Sequence, residues 1–367
     1  MGCGTVHLIA AARPNFMKIA PLYHALRDES WCAPVIVHTG QHYDTNMSEA
    51  FFRDLDLPEA DHNLGVGSGS HAEQTAGVMM AYERLCIEER PDWVIVVGDV
   101  NSTMAATLAA KKLNLPVAHL EAGLRSFDRS MPEEINRLVT DSLADLLWTP
   151  STDADCNLER EGVPRDRIVR VGNIMIDAFE LMRSKIASAG MVERLGLAKR
   201  DYGVVTIHRP ANVDTVAVLA VIVDRLIETS ARIPLVFPLH PRTRNRLEQA
   251  GLLVRLQAAP AIHILEPLGY VDFMNSLMNA SIAITDSGGI QEETTYLGIP
   301  CMTLRENTER PVTITEGTNR LVKLDTMVAA IESSLSSVGF ERRCPELWDG
   351  KTAQRVVASL RQACGTR

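Results

Sequence analysis

A rhythm in hydropathy constrains this chain more than any single motif. Short, mainly apolar runs alternate with longer amphipathic stretches. In the first half the runs are Val6–Ala10, Val35–Thr39, Trp93–Val97, Val117–Leu120, Leu146–Thr149 and Ile168–Val171. Helical patterns fall between them, near 15–29, 46–54, 71–90, 101–114, 132–145 and 151–161. Strand–helix alternation of this kind predicts a parallel sheet with helices on both faces. The rhythm then restarts with Val204–Ile207, Leu235–Leu239, Ile262–Leu265, Ile282–Thr285, Cys301–Leu304 and Leu321–Val322. The expected fold class is therefore α/β, with two doubly wound, Rossmann-like domains. Residues 1–175 form the first and 176–348 the second. A last helix within 349–367 closes the second domain or crosses back to the first.

Composition narrows the function. The chain has 367 residues, 46% hydrophobic and 23% charged, enough for two full cores. Its net charge is −9 and it has no basic run, which argues against a nucleic-acid or anionic-membrane partner. No apolar stretch reaches the roughly 18 residues of a membrane span. The N-terminus lacks the pattern of a secretory leader, so a cytoplasmic location is expected. Seven cysteines without CxxC or Cys/His spacing suggest reduced thiols and no metal.

Open α/β sheets bind ligands at the carboxyl ends of their strands. Polar residues crowd those ends here. The most informative run is Asp286-Ser287-Gly288-Gly289-Ile290-Gln291-Glu292-Glu293, where a strand gives way to a helix. Glycines there let backbone N–H groups approach a phosphate, and the helix N-terminus favours its charge. Glu293, one turn on, is placed for ribose hydroxyls. The run is neither GxGxxG nor a Walker motif, so NAD and ATP fit poorly. Arg13, Lys18 and Arg310 are candidate diphosphate cations that could stabilise a leaving group without a metal.

Carboxylates mark the other half. Asp99 and Glu121 follow adjacent strand candidates, and Glu133 opens a helix with Arg137 four residues on. Three carboxylates converging on one site are expected to repel one another, raising at least one pKa and giving both an acid and a base. His208 and His240 each follow a strand of the second series.

Together, Arg13-Pro14…Lys18-Ile19-Ala20-Pro21, Gly98-Asp99, His119-Leu120-Glu121-Ala122-Gly123-Leu124-Arg125, Pro132-Glu133-Glu134-Ile135-Asn136-Arg137 and Asp286–Glu293 with Glu309-Arg310-Pro311 resemble the non-hydrolysing UDP-N-acetylglucosamine 2-epimerases. The resemblance runs in order over essentially the whole chain. It implies the GT-B architecture, two Rossmann-like domains around a central cleft. It implies interconversion of UDP-GlcNAc and UDP-ManNAc by anti elimination of UDP and readdition through 2-acetamidoglucal, without cofactor or metal. Catalytic roles fall to Asp99, Glu121, Glu133 and His208. Asp99 and Glu133 would exchange protons at the two faces of C2. Substrate binding falls to Arg13, Lys18, Arg137, His240, Leu268, Phe273, Ser287, Gly288, Gly289, Glu293 and Arg310. Phe273 and the backbone at Leu268 match a uracil pocket. A homodimer is implied as well.

The chain also departs from the family. His208 is followed by Arg209-Pro210-Ala211-Asn212 where many members have Arg-Arg-Glu-Asn. Gln41 and His240 match a second, activating UDP-GlcNAc site, but Asp44 and the Gly65–Gly69 loop do not. Alternatives of related chemistry are a hydrolysing 2-epimerase, a 2-epimerase of another UDP-acetamido sugar, and a GT-B glycosyltransferase. A non-enzymatic UDP-sugar sensor is a further class.

Overall fold

The computed structural model describes residues 4–11, 13–40, 54–336 and 343–365. The chain divides into two compact units, Met1–Met182 with Glu346–Arg367, and Arg183–Pro345.

The first unit holds strands β1 (Thr5–Ala10), β2 (Ala33–His38), β3 (His62–Asn63), β4 (Trp93–Val97), β5 (Val117–Leu120), β6 (Leu146–Thr149) and β7 (Ile168–Arg170). Its main helices are α1 (Arg13–Arg27), α2 (His71–Glu89), α3 (Asn101–Lys112), α4 (Pro132–Leu143) and α5 (Thr152–Arg160). The strands form one sheet in the order β3-β2-β1-β4-β5-β6-β7, each pair parallel. All five residues of β4 are buried, as a strand covered on both faces requires. Ser70 and Glu73 form a capping box that starts α2, and Pro132 preorganises the first turn of α4.

Helix α6 (Ile174–Ser188) carries the boundary between the units. The second unit holds β8 (Gly203–Thr206), β9 (Leu235–Pro238), β10 (Ile262–Leu265), β11 (Ile282–Thr285), β12 (Cys301–Thr303) and β13 (Asn319–Leu321). Its longer helices are α7 (Val216–Ser230), α8 (Pro241–Gln249), α9 (Tyr270–Met278), α10 (Gly288–Leu297) and α11 (Met327–Ser336). The sheet runs β10-β9-β8-β11-β12-β13, again parallel throughout. This is the doubly wound order of a Rossmann sheet. Val205, Ile207, Leu235, Phe237, Ile282 and Ile284 belong to its core.

The expected fold class is the observed one, α/β with two doubly wound parallel sheets. The final helix α12 (Thr352–Gly365) belongs to the first unit. It buries Val356, Val357 and Leu360, Ser359 accepts a 3.0 Å bond from Trp148 Nε1, and Asp177 caps its start by accepting from the Ala353 N–H. The helix expected near 46–54 lies almost wholly outside the described residues. Strand β3 was not expected, because two residues are too few to show a pattern.

Among the described residues no helix is long and apolar enough to cross a membrane. Cys32, Cys86, Cys156 and Cys301 are free thiols. Cys364 is disulfide-bonded, which corrects the expectation of reduced thiols throughout.

Candidate functional site

In each sheet the strand order reverses once, between β1 and β4 and between β8 and β11. Connections leave such a pair towards opposite faces, and a crevice opens at the strands' carboxyl ends. Lys18 and Asp99 fall at the first of these points, and His208 with Ser287, Gly288 and Gly289 at the second.

In the first unit, Asn15 Nδ2 donates to Val97 O at 3.0 Å and ties the start of α1 to the end of β4. Gly98 follows with φ +70°, and a Cβ there would stand 3.0 Å from Lys18 Nζ. Glycine therefore leaves room for the ion pair between Lys18 and Glu121 Oε2. Glu121 is 5% exposed and has φ +72°. Its Oε1 is buried with no hydrogen-bond partner among the described residues. A strained residue holding an unpaired buried acceptor is what a ligand-binding position looks like before its ligand arrives.

Asp99 pairs through Oδ2 with Arg137 Nη1 at 2.5 Å. Arg137 is almost fully buried and donates its remaining N–H groups to Glu134 Oε2, at 3.1 and 2.7 Å. Glu134 in turn accepts the backbone N–H groups of Ser126 (2.9 Å) and Phe127 (3.0 Å). These bonds and the Arg137 charge outweigh burial and hold the Glu134 carboxyl below its ordinary pKa. Arg137, expected among the substrate-binding residues, is engaged here with Glu134 and Asp99. Its donors go to Glu134 and Asp99, and not to Glu133 four residues back. Glu133 lies half-buried in the first turn of α4 and makes no ion pair among the described residues.

His119 links the two turns. Its Nδ1 lies 2.6 Å from Asp141 Oδ1 and its Nε2 lies 2.8 Å from Gly98 O. Asp141 also accepts the Gly123 N–H at 3.0 Å and pairs with Arg125 at 2.7 Å. The expectation of mutually repelling carboxylates needs correction at this edge. Asp99 and Glu121 each carry a cation of their own, and only Glu133 does not. Lys18, expected on a diphosphate, is engaged with Glu121. Arg13 is the first residue of α1. Its side chain, like Gln41 and Asp44, lies outside the described residues.

In the second unit, Asp286 is fully buried at the end of β11. Its Oδ2 accepts from the N–H groups of His208 (3.0 Å) and Arg209 (2.9 Å) and from Asn212 Nδ2 (2.9 Å). Its Oδ1 lies 3.0 Å from His208 Nδ1. Burial alone would raise the Asp286 pKa, but these partners hold it down. With Nδ1 directed at this carboxylate, Nε2 is the nitrogen of His208 left for other work. Asn212, at the end of the Arg209–Asn212 stretch, thus serves the same anchor. The His240 ring centroid is 5.3 Å from that of His208. His240 Nδ1 caps α8 by accepting the Arg242 N–H, and burial with the neighbouring His208 lowers its pKa.

Helix α10 starts at Gly288. Its N-cap Ser287 makes no side-chain capping bond, and its first turn contains no acid. Backbone donors at that end are left for an anion. Gly288 and Gly289 have different reasons to be glycine. A Cβ on Gly288 would meet Arg310 Nη1 at 2.7 Å and Glu309 Oε1 at 2.9 Å. A Cβ on Gly289 would meet nothing, so the protein itself does not require glycine there.

Beside this helix start lie three guanidinium groups and two carboxylates. Arg310 pairs with Glu292 and Glu309, both at 2.8 Å. Arg305 pairs with Glu309 at 2.8 Å, and Arg209 lies 3.7 Å from it. The Arg310 and Arg305 charges outweigh burial and hold the Glu309 carboxyl far below its usual range. Burial and the repulsion of Arg305 lower the pKa of Arg209. Glu293 is 5% exposed, accepts from Tyr270 Oη at 3.0 Å, and is pushed up to about 8 by burial. Phe273 is half-buried on α9. Leu268 precedes that helix, also half-buried.

The structure therefore gathers Lys18, Asp99, Glu121 and Arg137 at one edge, and His208, His240, Ser287, Gly288, Gly289, Glu293 and Arg310 along the other unit's strand ends. Sequence reasoning gave no role to the partners that hold them: His119, Glu134, Asp286, Arg209, Glu292, Glu309 and Tyr270 stand in its motifs and strand ends without one, and Asp141 and Arg305 were not singled out at all. Asp286 carried a signal, since it follows a strand directly. Arg305 carried none. Among the described residues no group of three His, Cys, Asp or Glu is placed to hold a metal ion.

The family model described as UDP-N-acetylglucosamine 2-epimerase matches residues 24–361. A UDP-N-acetylglucosamine 2-epimerase of Methanocaldococcus jannaschii is 40% identical over 363 residues, which cover 96% of this chain and 98% of that protein. A UDP-2,3-diacetamido-2,3-dideoxy-D-glucuronate 2-epimerase of Pseudomonas aeruginosa is 40% identical over 333 residues, 89% of this chain and 91% of that one. A crystal structure of the M. jannaschii enzyme in complex with UDP-GlcNAc and UDP matches with a TM-score of 0.87 at 39% identity, covering 97% of this chain and 99% of that one.

Proposed function

Because this chain belongs to the UDP-N-acetylglucosamine 2-epimerase family, we propose that it interconverts UDP-GlcNAc and UDP-ManNAc by elimination and readdition of UDP. The C2 hydrogen is not α to a carbonyl, so direct abstraction at neutral pH is far too slow. Cleavage of the anomeric C1–O bond develops positive charge at C1 and acidifies that hydrogen. A base takes the proton, the C2–H electron pair forms the C1=C2 bond of 2-acetamidoglucal, and UDP departs with the C1–O pair. Readdition of UDP, with a proton delivered to the other face of C2, completes the inversion. Only protons and UDP move, so no hydride acceptor is required.

One observation carries this reading: the carboxylate set of the first unit. Among the described residues Asp99 and Glu121 are each balanced by a cation and Glu133 is not. A protein that only binds a UDP-sugar needs no such set. Asp99 and Glu133 serve the two faces of C2, and Glu121, with its open Oε1, holds the sugar. Ser287, Gly288, Gly289 and the arginine cluster grip the diphosphate, Glu293 the ribose, and Phe273 with Leu268 the uracil. His208, oriented by Asp286, assists the leaving phosphate.

The test is incubation with UDP-GlcNAc in deuterated water, followed by NMR. Deuterium at C2 of both UDP-sugars is the expected result. Free ManNAc with UDP would identify a hydrolysing enzyme, and no exchange would sink the proposal. The P. aeruginosa relative, 40% identical, favours a second reading in which the sugar is a diacetamido uronate. The same experiment on that sugar decides, since the true substrate exchanges faster. A homodimer follows from the family resemblance, and a sedimentation mass near 40.4 kDa would overturn it. A cytoplasmic location fits the free thiols of Cys32, Cys86, Cys156 and Cys301 against the single disulfide-bonded Cys364, and fractionation of the host cell tests it.

A further inference from the structure

Tyr270 is half-buried at the start of α9, and its hydroxyl donates to Glu293 Oε1 at 3.0 Å. Glu293 is 5% exposed, and its Oε2 makes no hydrogen bond among the described residues. The next residue back, Glu292, is held by Arg310. We infer that Tyr270 is a positioning residue: it fixes the Glu293 carboxyl plane for the ribose diol and so sets the preference for a ribonucleotide over a 2′-deoxyribonucleotide. The inference rests on the nucleotide-sugar reading above and deepens it.

The argument is geometric. A carboxyl group meets two neighbouring hydroxyls with two oxygens only when its plane is set. An unrestrained Glu side chain loses rotamer entropy on being fixed. The Tyr270 bond orders it in advance and leaves Oε2 for a hydroxyl. Tyr270 also lies three residues before Phe273, so the two share one face of α9. The ribose-side and base-side contacts are thereby set in register by a single helix. A buried carboxyl pushed up to about 8 is costly in a protein core. Packing alone does not account for its retention one turn into α10.

The test measures binding of UDP and 2′-deoxy-UDP by calorimetry to the full chain, its Tyr270→Phe and Glu293→Gln variants and the double variant. Near-UV circular dichroism checks that each is folded. The wild type should favour UDP. Tyr270→Phe should weaken UDP by roughly three- to tenfold, the worth of one hydrogen bond, while 2′-deoxy-UDP changes less than about twofold. KM for UDP-GlcNAc should rise with kcat retained. Adding Tyr270→Phe to Glu293→Gln should cost nothing more. A wild-type preference retained in Tyr270→Phe overturns the inference, and so do additive losses in the double variant. Should Tyr270→Phe fail to fold, Glu293→Gln decides: an undiminished preference for UDP overturns the inference too. Failure of the wild type to bind UDP at all would instead remove the nucleotide-sugar reading.

Discussion

Charge at individual residues is set here by partners distant in sequence. Lys18 and Glu121 are 103 positions apart, and Asp99 and Arg137 are 38 apart. Because Asp99 keeps a compensating guanidinium, Asp99→Asn should change the proton chemistry with little effect on the nucleotide contacts. Asp99→Asn and Glu133→Gln are each expected to lower C2 exchange by at least about a hundredfold, with UDP affinity within about threefold. Normal turnover in either variant would refute its assignment. Glu293 yields a pH prediction. Its folded pKa of about 8 lies above the ordinary 4.5, so the folded state holds a proton that the unfolded state loses first. Stability from this group is complete below pH 4.5 and is lost as pH rises towards 8. Melting curves should therefore show Glu293→Gln gaining on the wild type between pH 5 and pH 8, with about 2–4 °C for each kcal/mol. A gap that narrows with pH would contradict this.

At the scale of elements, the start of α10 separates packing from ligand binding. Gly288→Ala drives a Cβ to 2.7 Å from Arg310 Nη1, so both stability and UDP binding should fall. Gly289→Ala meets open space. It should melt close to the wild type, or slightly higher since alanine favours helix by about 1 kcal/mol, yet bind UDP at least about tenfold more weakly. Unchanged affinity in a folded Gly289→Ala protein would remove the phosphate from that helix end. The strands themselves were legible because they are apolar on both faces: β4, β5, β6, β10 and β11 fall where the apolar runs predict. Strand β13 was displaced by two residues, since Asn319 and Arg320 are polar members of an edge strand. In sequence, i+4 spacing pairs Arg137 with Glu133. The α4 helix instead turns it towards Glu134 and Asp99.

For the whole molecule, the C-terminal helix is the decisive element of connectivity. The chain leaves the first unit, builds the second, and returns with α12. Val356, Val357 and Leu360 are buried there. At roughly 1.5–3 kcal/mol for each buried side chain, they contribute on the order of 5–9 kcal/mol, comparable with the whole stability of a domain. Removing residues 346–367 should therefore unfold the first unit, while the continuous second unit keeps a folded core. Limited proteolysis would show a protected fragment spanning about 183–345. Equal protection of residues 5–180 would contradict it.

The sequence by itself determined the fold class, the two sheets and the strand ends where polar residues gather. Those follow from local periodicity and from the rule that parallel sheets bind ligands at one edge. The three carboxylates and the glycine pair were also visible, because their chemistry is written in residue type. Only the tertiary structure decided which cation meets which carboxylate, that Asp286 orients His208, and that Tyr270 holds Glu293. Such pairs join strands and helices brought together by the sheet order. Their geometry depends on contacts across dozens of residues, and no local pattern encodes it.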